Sequence, residues 1–175
     1  MNFTKLLELW HNLCKREEDD MIQLSEHFSI KEAICHDSSN PSKPCPYCHG
    51  VFIPCDTLLK ALEAFRSNVD APVIITSWTR CQIKEAKMKP NTPSPKSQHN
   101  YGKAVDCYVN GVGAQALYDA AIKVPAFNNG GIGIYVKQTS GRDRIHLDIR
   151  DTGKARWGYI SNKEVSIEEA LKQSK

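Results

Sequence analysis

The chain has 175 residues, 41% of them hydrophobic and 25% charged, with a formal net charge of +3. That length buries a core without obligatory staples, and the composition is that of an ordinary globular protein, excluding fibrous and disordered classes. The charge is too small to argue for nucleic acid as a partner, and no apolar run reaches the roughly 18 residues of a membrane span.

Taken from the N-terminus, the pattern predicts a helix to about Glu26, with Leu6, Leu7, Trp10, Leu13 and Cys14 at helical spacing. The first residues show no clean hydrophobic stretch and no small-residue cleavage site, so the reading is of a chain without a secretory signal, made in the cytoplasm. Ser29 and Glu32 form a capping box after Phe28. Residues 35–55 read as a loop rich in Pro, Ser and Cys. A helix follows, capped by Asp56 or Thr57, with Leu58, Leu59, Leu62 and Phe65 as its buried stripe.

Pro72 to Trp78 reads as a strand, β-branched and bounded by proline. Residues 82–96 are polar and contain Pro90, Pro93 and Pro95, which predicts a long irregular loop. A strand from Lys103 to Val109, a helix from Gly113 to Val124 and a turn at Asn128–Gly131 follow. Ile132–Val136 and Arg144–Ile149 then read as an antiparallel hairpin. Ser166 and Glu169 cap a short terminal helix to Lys172. The chain is expected to be one domain over 1–175: an N-terminal helix 1–26, a core 27–158 and a helical tail 159–175.

Chemistry concentrates in two segments. His99 ends Ser97-Gln98-His99, and Asp106 lies seven residues on, past Gly102, where a missing Cβ permits a close backbone path. His146 and Asp148 share one face of a strand. Two imidazoles and a carboxylate are the donor set that leaves zinc one open position for water, and such a water loses its proton near neutral pH. Asp148 and Asp143 are both candidates for the general base. Arg80 is a candidate to polarise a carbonyl or hold a substrate carboxylate. The blander reading, histidines satisfied in a core or on the surface, stands beside this one.

Of the seven cysteines, Cys35, Cys45, Cys48 and Cys55 crowd into one loop, with Cys45-Pro46-Tyr47-Cys48 as a Cys-x2-Cys unit. They read as a second, structural zinc site, as disulfides or as buried thiols. Cys81 follows the Pro72 strand and Cys107 lies on the next, so they form a further candidate pair, with two small core residues as the blander reading.

The order of segments then carries a resemblance. Ser77-Trp78-Thr79-Arg80, Ser97-Gln98-His99, Gly102 to Asp106, Gly130-Gly131-Ile132-Gly133, Ile145 to Arg150 and Ala155-Arg156-Trp157 together resemble the zinc D-Ala-D-Ala carboxypeptidase family. That family includes phage endolysin peptidases and is related to the zinc fold of hedgehog signalling domains. The resemblance covers about residues 27–158. It implies an α+β fold, an antiparallel sheet flanked by helices, with Zn2+ on His99, Asp106 and His146 and a peptidoglycan peptide as substrate.

The family's strand-end Ser-Gly-Tyr-Arg stands here as Ser77-Trp78-Thr79-Arg80, keeping only the serine and arginine. In several members the base sits three residues before the last histidine, which implies Asp143. In the small branch a His-x-Asp pattern implies Asp148, which is preferred here because a strand fixes its direction. The expectation is a monomeric, lysin-like zinc metallopeptidase acting at the cell wall, from phage or bacterium, with no nucleic-acid partner. A binding module without turnover and a virion-associated structural protein are the alternatives.

Overall fold

A computed structural model describes residues 22–91, 97–137 and 139–174. The expected N-terminal helix lies outside the described residues up to 21. Residues 22–26 are not helical, and Gln23 forms an isolated bridge with Ser29.

The elements in chain order are α1 (Ile30–Ala33), α2 (Asp56–Val69), β1 (Val73–Ser77), α3 (Gln82–Met88), a 3-10 turn (Gln98–Tyr101), β2 (Ala104–Val109), α4 (Ala114–Ile122), α5 (Pro125–Asn129), β3 (Gly131–Val136), β4 (Arg144–Asp148), β5 (Ala155–Ile160), β6 (Lys163–Val165) and α6 (Ile167–Leu171). The strands form one mixed sheet in the order β1-β2-β4-β3-β5-β6. All pairs are antiparallel except β3 with β5. The architecture is the expected α+β class.

Alternation along the strands divides the sheet into two faces. Val105, Cys107, Val109, Ile132, Ile134, Val136, Ile145 and Leu147 point to the core. There they meet the apolar sides of α2, α4, α5 and α6, through Leu58, Leu62, Phe65, Leu117, Phe127 and Ile167. Phe65 and Phe127 pack edge to face at 6.4 Å. Burial of one such side chain stabilises the fold by about 1.5–3 kcal/mol.

Three expectations require correction. Residues 82–88 form a helix rather than a loop, because the Cys81 sulfur accepts from the Lys84 N–H and supplies the cap that no Ser, Thr, Asp or Asn provides. The expected turn at Asn128–Gly131 is instead the end of α5, begun by Pro125 at its first position, its C-cap Gly130 and the start of β3. The expected helical tail from 159 instead begins inside β5 and continues as β6 before α6.

Candidate active site

Strand register assembles the site. On the face opposite the core, Asp106 of β2 lies directly across from His146 of β4 and beside Ser77 of β1. His146 in turn faces Gly133 of β3, and Gly133 faces Trp157 of β5. Ser77, Asp106, His146, Gly133 and Trp157 therefore run as one row across the sheet. Gly133 is a spatial requirement, because a Cβ there would collide with the Trp157 indole. The indole lies 5.1 Å from the His146 ring, centroid to centroid.

His99 reaches the row from the 3-10 turn. That turn ends at Gly102, whose φ of +65° and close approach to the Ile53 carbonyl exclude a side chain. The backbone carbonyl of His99 accepts from the Arg80 N–H at 3.1 Å, and its Nδ1 lies 2.7 Å from the Trp78 carbonyl. The three expected ligand residues thus come together, and their donor atoms lie within 4.8 Å of one another.

The hydrogen bonds define the character of this cluster. A carbonyl only accepts, so His99 Nδ1 carries the proton and its Nε2 is left with a lone pair. That lone pair faces Asp106 Oδ2 at 3.3 Å, acceptor against acceptor. Such a pairing calls for a cation between the two. Zinc with nitrogen and oxygen ligands at about 2.0–2.2 Å would separate neighbouring ligand atoms by roughly 3.3–3.6 Å, which the His99–Asp106 distance fits. His146 Nδ1 lies 2.8 Å from Asp106 Oδ1, and its Nε2 lies 3.1 Å from Asp148 Oδ2.

Burial lowers the pKa of His99 and outweighs the attraction of Asp106, keeping a neutral imidazole. Burial alone would also lower His146, but the Asp106 and Asp148 carboxylates raise it above its ordinary value. Asp106 is held well below the carboxylate range: desolvation opposes ionisation, and the hydrogen bond and charge of His146 work against it.

The two candidate bases are placed very differently. Asp148 is fully buried. Its Oδ1 accepts from the Gly131 and Arg150 backbone N–H groups, both at 3.0 Å, and the Arg150 guanidinium grips both oxygens. Gly131 is required here too, since a Cβ would occupy the Asp148 carboxylate's place. With its oxygens engaged and its anion stabilised by Arg150 and His146 against the cost of burial, Asp148 is built to orient the His146 ring. Asp143 lies elsewhere. Its carboxylate accepts from the Ala114 N–H at 3.0 Å at the start of α4 and lines a separate cavity with Asn110 and Arg142.

These placements predict different outcomes. Asp148→Asn is expected to weaken zinc affinity or turnover by roughly 10–100-fold, as loss of a carboxylate behind a metal-bound histidine does. Asp143→Asn is expected to keep turnover near wild type and lose about 1 kcal/mol of stability through the weakened cap. Parallel kinetics, zinc titration and urea melts check both; an inactive Asp143→Asn protein that still holds zinc would reverse the assignment.

Arg80 adjoins the cluster. Its Nη2 donates to Asp106 Oδ2 and Ser77 Oγ, both at 3.1 Å, and its Nη1 donates to Glu85 Oε2 at 2.6 Å. Its Nε is buried with no partner among the described residues. Glu85, fully buried on α3, is not evident from the sequence because it falls in a polar, proline-containing stretch that predicts a loop. Arg150 escaped it too, although its spacing of two from Asp148 puts both on the same side of an extended segment.

A cleft of about 440 Å³ opens over the cluster. Its lining combines Arg80, Glu85, His99, Asp106 and His146 with the aromatic rings of Tyr135, Trp157 and Tyr159. Tyr135 and Tyr159 stack at 5.1 Å and 2°, and Trp157 Nε1 donates to the Tyr135 hydroxyl at 3.2 Å. Burial pushes the Tyr135 phenol up to about 12, so it stays protonated.

The cysteines sort otherwise than expected. Cys35, Cys45, Cys48 and Cys81 gather, whereas Cys55 precedes α2 outside the group and Cys107 points into the core.

A sheet-borne His-Asp-His cluster under an open cleft defines the class of fold that zinc D,D-peptidases share. Residues 57–157 match the family model described as peptidoglycan L,D-endopeptidase MepK, and the chain belongs to this M15 peptidase family. It is accordingly a peptidase of the peptidoglycan-hydrolysing kind. No curated protein and no solved structure matches it. Among the described residues no helix is long and apolar enough to cross a membrane.

Proposed function

We propose that the protein is a zinc-dependent endopeptidase that cuts a peptide bond within the stem or cross-link peptides of peptidoglycan. The observation that carries this reading is the meeting of His99 Nε2, His146 Nδ1 and the Asp106 carboxylate at the floor of an open cleft. Zinc held by these three groups supplies a Lewis acid and a water acidified toward neutral pH. The chain does the rest. Trp78 and Asp148 fix the two imidazoles so that each turns one lone pair inward. Arg80 holds the Asp106 carboxylate in place through its Nη2. The Tyr135–Trp157–Tyr159 wall offers a flat apolar face along which a peptide can lie.

Endo- rather than carboxypeptidase action is supported by the charges. Capturing a C-terminal carboxylate calls for a cation with charge to spare. Among the described residues the cations lining the cleft are all paired: Arg80 with Glu85 and Asp106, Lys89 with Glu85, and Arg150 with Asp148. The test is to incubate the protein with cross-linked and uncross-linked wall peptides and to identify products by mass spectrometry. Internal cleavage that stops with a chelator and returns with zinc is the expected result. Release of a single terminal residue would replace the endopeptidase reading, and no cleavage by zinc-loaded protein would end the hydrolytic one.

A further inference from the structure

We propose that Cys35, Cys45, Cys48 and Cys81 bind a second zinc ion, structural rather than catalytic, that ties the cysteine loop to the segment carrying Arg80. The four sulfur atoms lie within 4.8 Å of one another. Cys45 and Cys81 are 3.8 Å apart, far beyond a disulfide bond of about 2.05 Å. Zinc–thiolate bonds of about 2.3 Å in a tetrahedron place sulfurs roughly 3.8 Å apart.

The backbone is shaped to receive a metal. Cys45-Pro46-Tyr47-Cys48 folds into a tight knuckle closed by the His49 N–H on the Cys45 carbonyl at 2.8 Å. His49 and Gly50 then take left-handed conformations with φ of 53° and 83° and turn the chain away. N–H groups point at the sulfurs. Tyr47 and Cys48 face Cys45, Cys81 N–H meets Cys35 Sγ at 3.3 Å, and Lys84 N–H meets Cys81 Sγ at 3.4 Å.

Four thiolates around a divalent ion carry two net negative charges, and cations stand beside them. Lys84 Nζ donates to the His36 carbonyl at 2.6 Å, and the Lys87 ammonium lies 4.6 Å over the Tyr47 ring. With four sulfur ligands no position remains for water, which is the mark of a structural site.

The site also has something to hold. Between α1 and α2 the chain has no helix or ladder of its own, only the isolated His36–Pro44 bridge. The metal would join the end of α1, the knuckle and the β1–α3 junction. Cys81 follows Arg80 directly and caps α3, which carries Glu85, so the same ion would brace the Arg80–Glu85 wall of the cleft. The proposal does not depend on hydrolysis.

The test is metal content and cobalt spectroscopy on the full chain. Wild type is expected to hold two zinc ions, and His99→Ala one. Cobalt-loaded protein should show an intense thiolate charge-transfer band in both. Cys45→Ser/Cys48→Ser should lose that band and one ion. Should that variant fail to fold, wild type still decides: titrating its thiols with an organomercurial should release one zinc as the four clustered cysteines are modified. Absence of the band in wild type, or an intact mass showing these cysteines oxidised in pairs, would overturn the proposal. Wild type holding a single ion with the band present would count against the catalytic site alone.

Discussion

Asp106→Ala is expected to abolish hydrolysis while the protein stays folded. Asp106 touches every other member of the centre: His99 Nε2, His146 Nδ1 and Arg80 Nη2 all converge on its carboxylate. Its removal leaves two imidazoles without the anion that makes the site attractive to a divalent cation. It also frees Arg80 from the position that aims it at the cleft. The backbone of β2 is unaffected, since its ladder to β1 and β4 uses main-chain groups, and the core face of the strand is untouched. Turnover is expected to fall by on the order of 10³ or more, equivalent to about 4 kcal/mol of transition-state stabilisation. Zinc bound through this centre should fall to background. Metal analysis and peptide-release kinetics on the same preparation check both. Turnover within tenfold of wild type would remove Asp106, and with it the ligand set, from the account.

The convergence on Asp106 was legible in the sequence because strand geometry is regular. Once Ala104–Val109 and Arg144–Asp148 are read as strands, alternation puts Asp106 on one face of its strand and His146 with Asp148 on one face of theirs. Antiparallel pairing then needs only the right register to bring them opposite. The α2 stripe was legible for the same reason, as Leu58, Leu62 and Phe65 are all fully buried.

What the sequence hid depends on contacts between distant segments. Asp143 and Asp148 are both near His146 in sequence, yet one caps α4 and the other sits under Arg150, and no local pattern distinguishes them. Cys81 is 33 residues from Cys48, and its place just after β1 suggests Cys107 on the neighbouring β2 as its partner. The side chain of Cys107 turns to the core instead. Strands β5 and β6 were missed because Ala155–Ile160 mixes Arg, Trp, Gly and Tyr without clean alternation. The parallel pairing of β5 with β3 is also non-local.

Glu85→Ala is expected to cost about 3–5 kcal/mol, the range for removing one partner of a buried ion pair. For a chain of this size that corresponds to a fall in Tm of roughly 6–20 °C. The reason is geometric. Glu85 is fully buried, with the Arg80 guanidinium 2.6 Å away and the Lys89 ammonium at 3.3 Å, and Arg80 is itself almost completely enclosed. Truncation leaves that guanidinium in a low-dielectric setting with only Asp106 to balance it.

The pH dependence follows from the same pair. Burial alone would raise the Glu85 pKa, but Arg80 and Lys89 outweigh it and hold the carboxyl below its ordinary value. A folded-state pKa below the unfolded one gives stabilisation that is complete above the unfolded value, about 4.3. That stabilisation is lost as pH falls through the folded value. Wild type should therefore lose more stability than Glu85→Gln between pH ~5 and pH ~3, because the amide has no proton to take up. Other depressed carboxylates, Asp106 and Asp148 among them, act in both proteins and cancel in the difference. Urea midpoints across that range measure it; parallel curves would show that Glu85 does not carry the charge that holds Arg80. Arg80 in turn braces Asp106, so the variant should also lose turnover while keeping its zinc, which separates a misdirected guanidinium from a lost metal ligand.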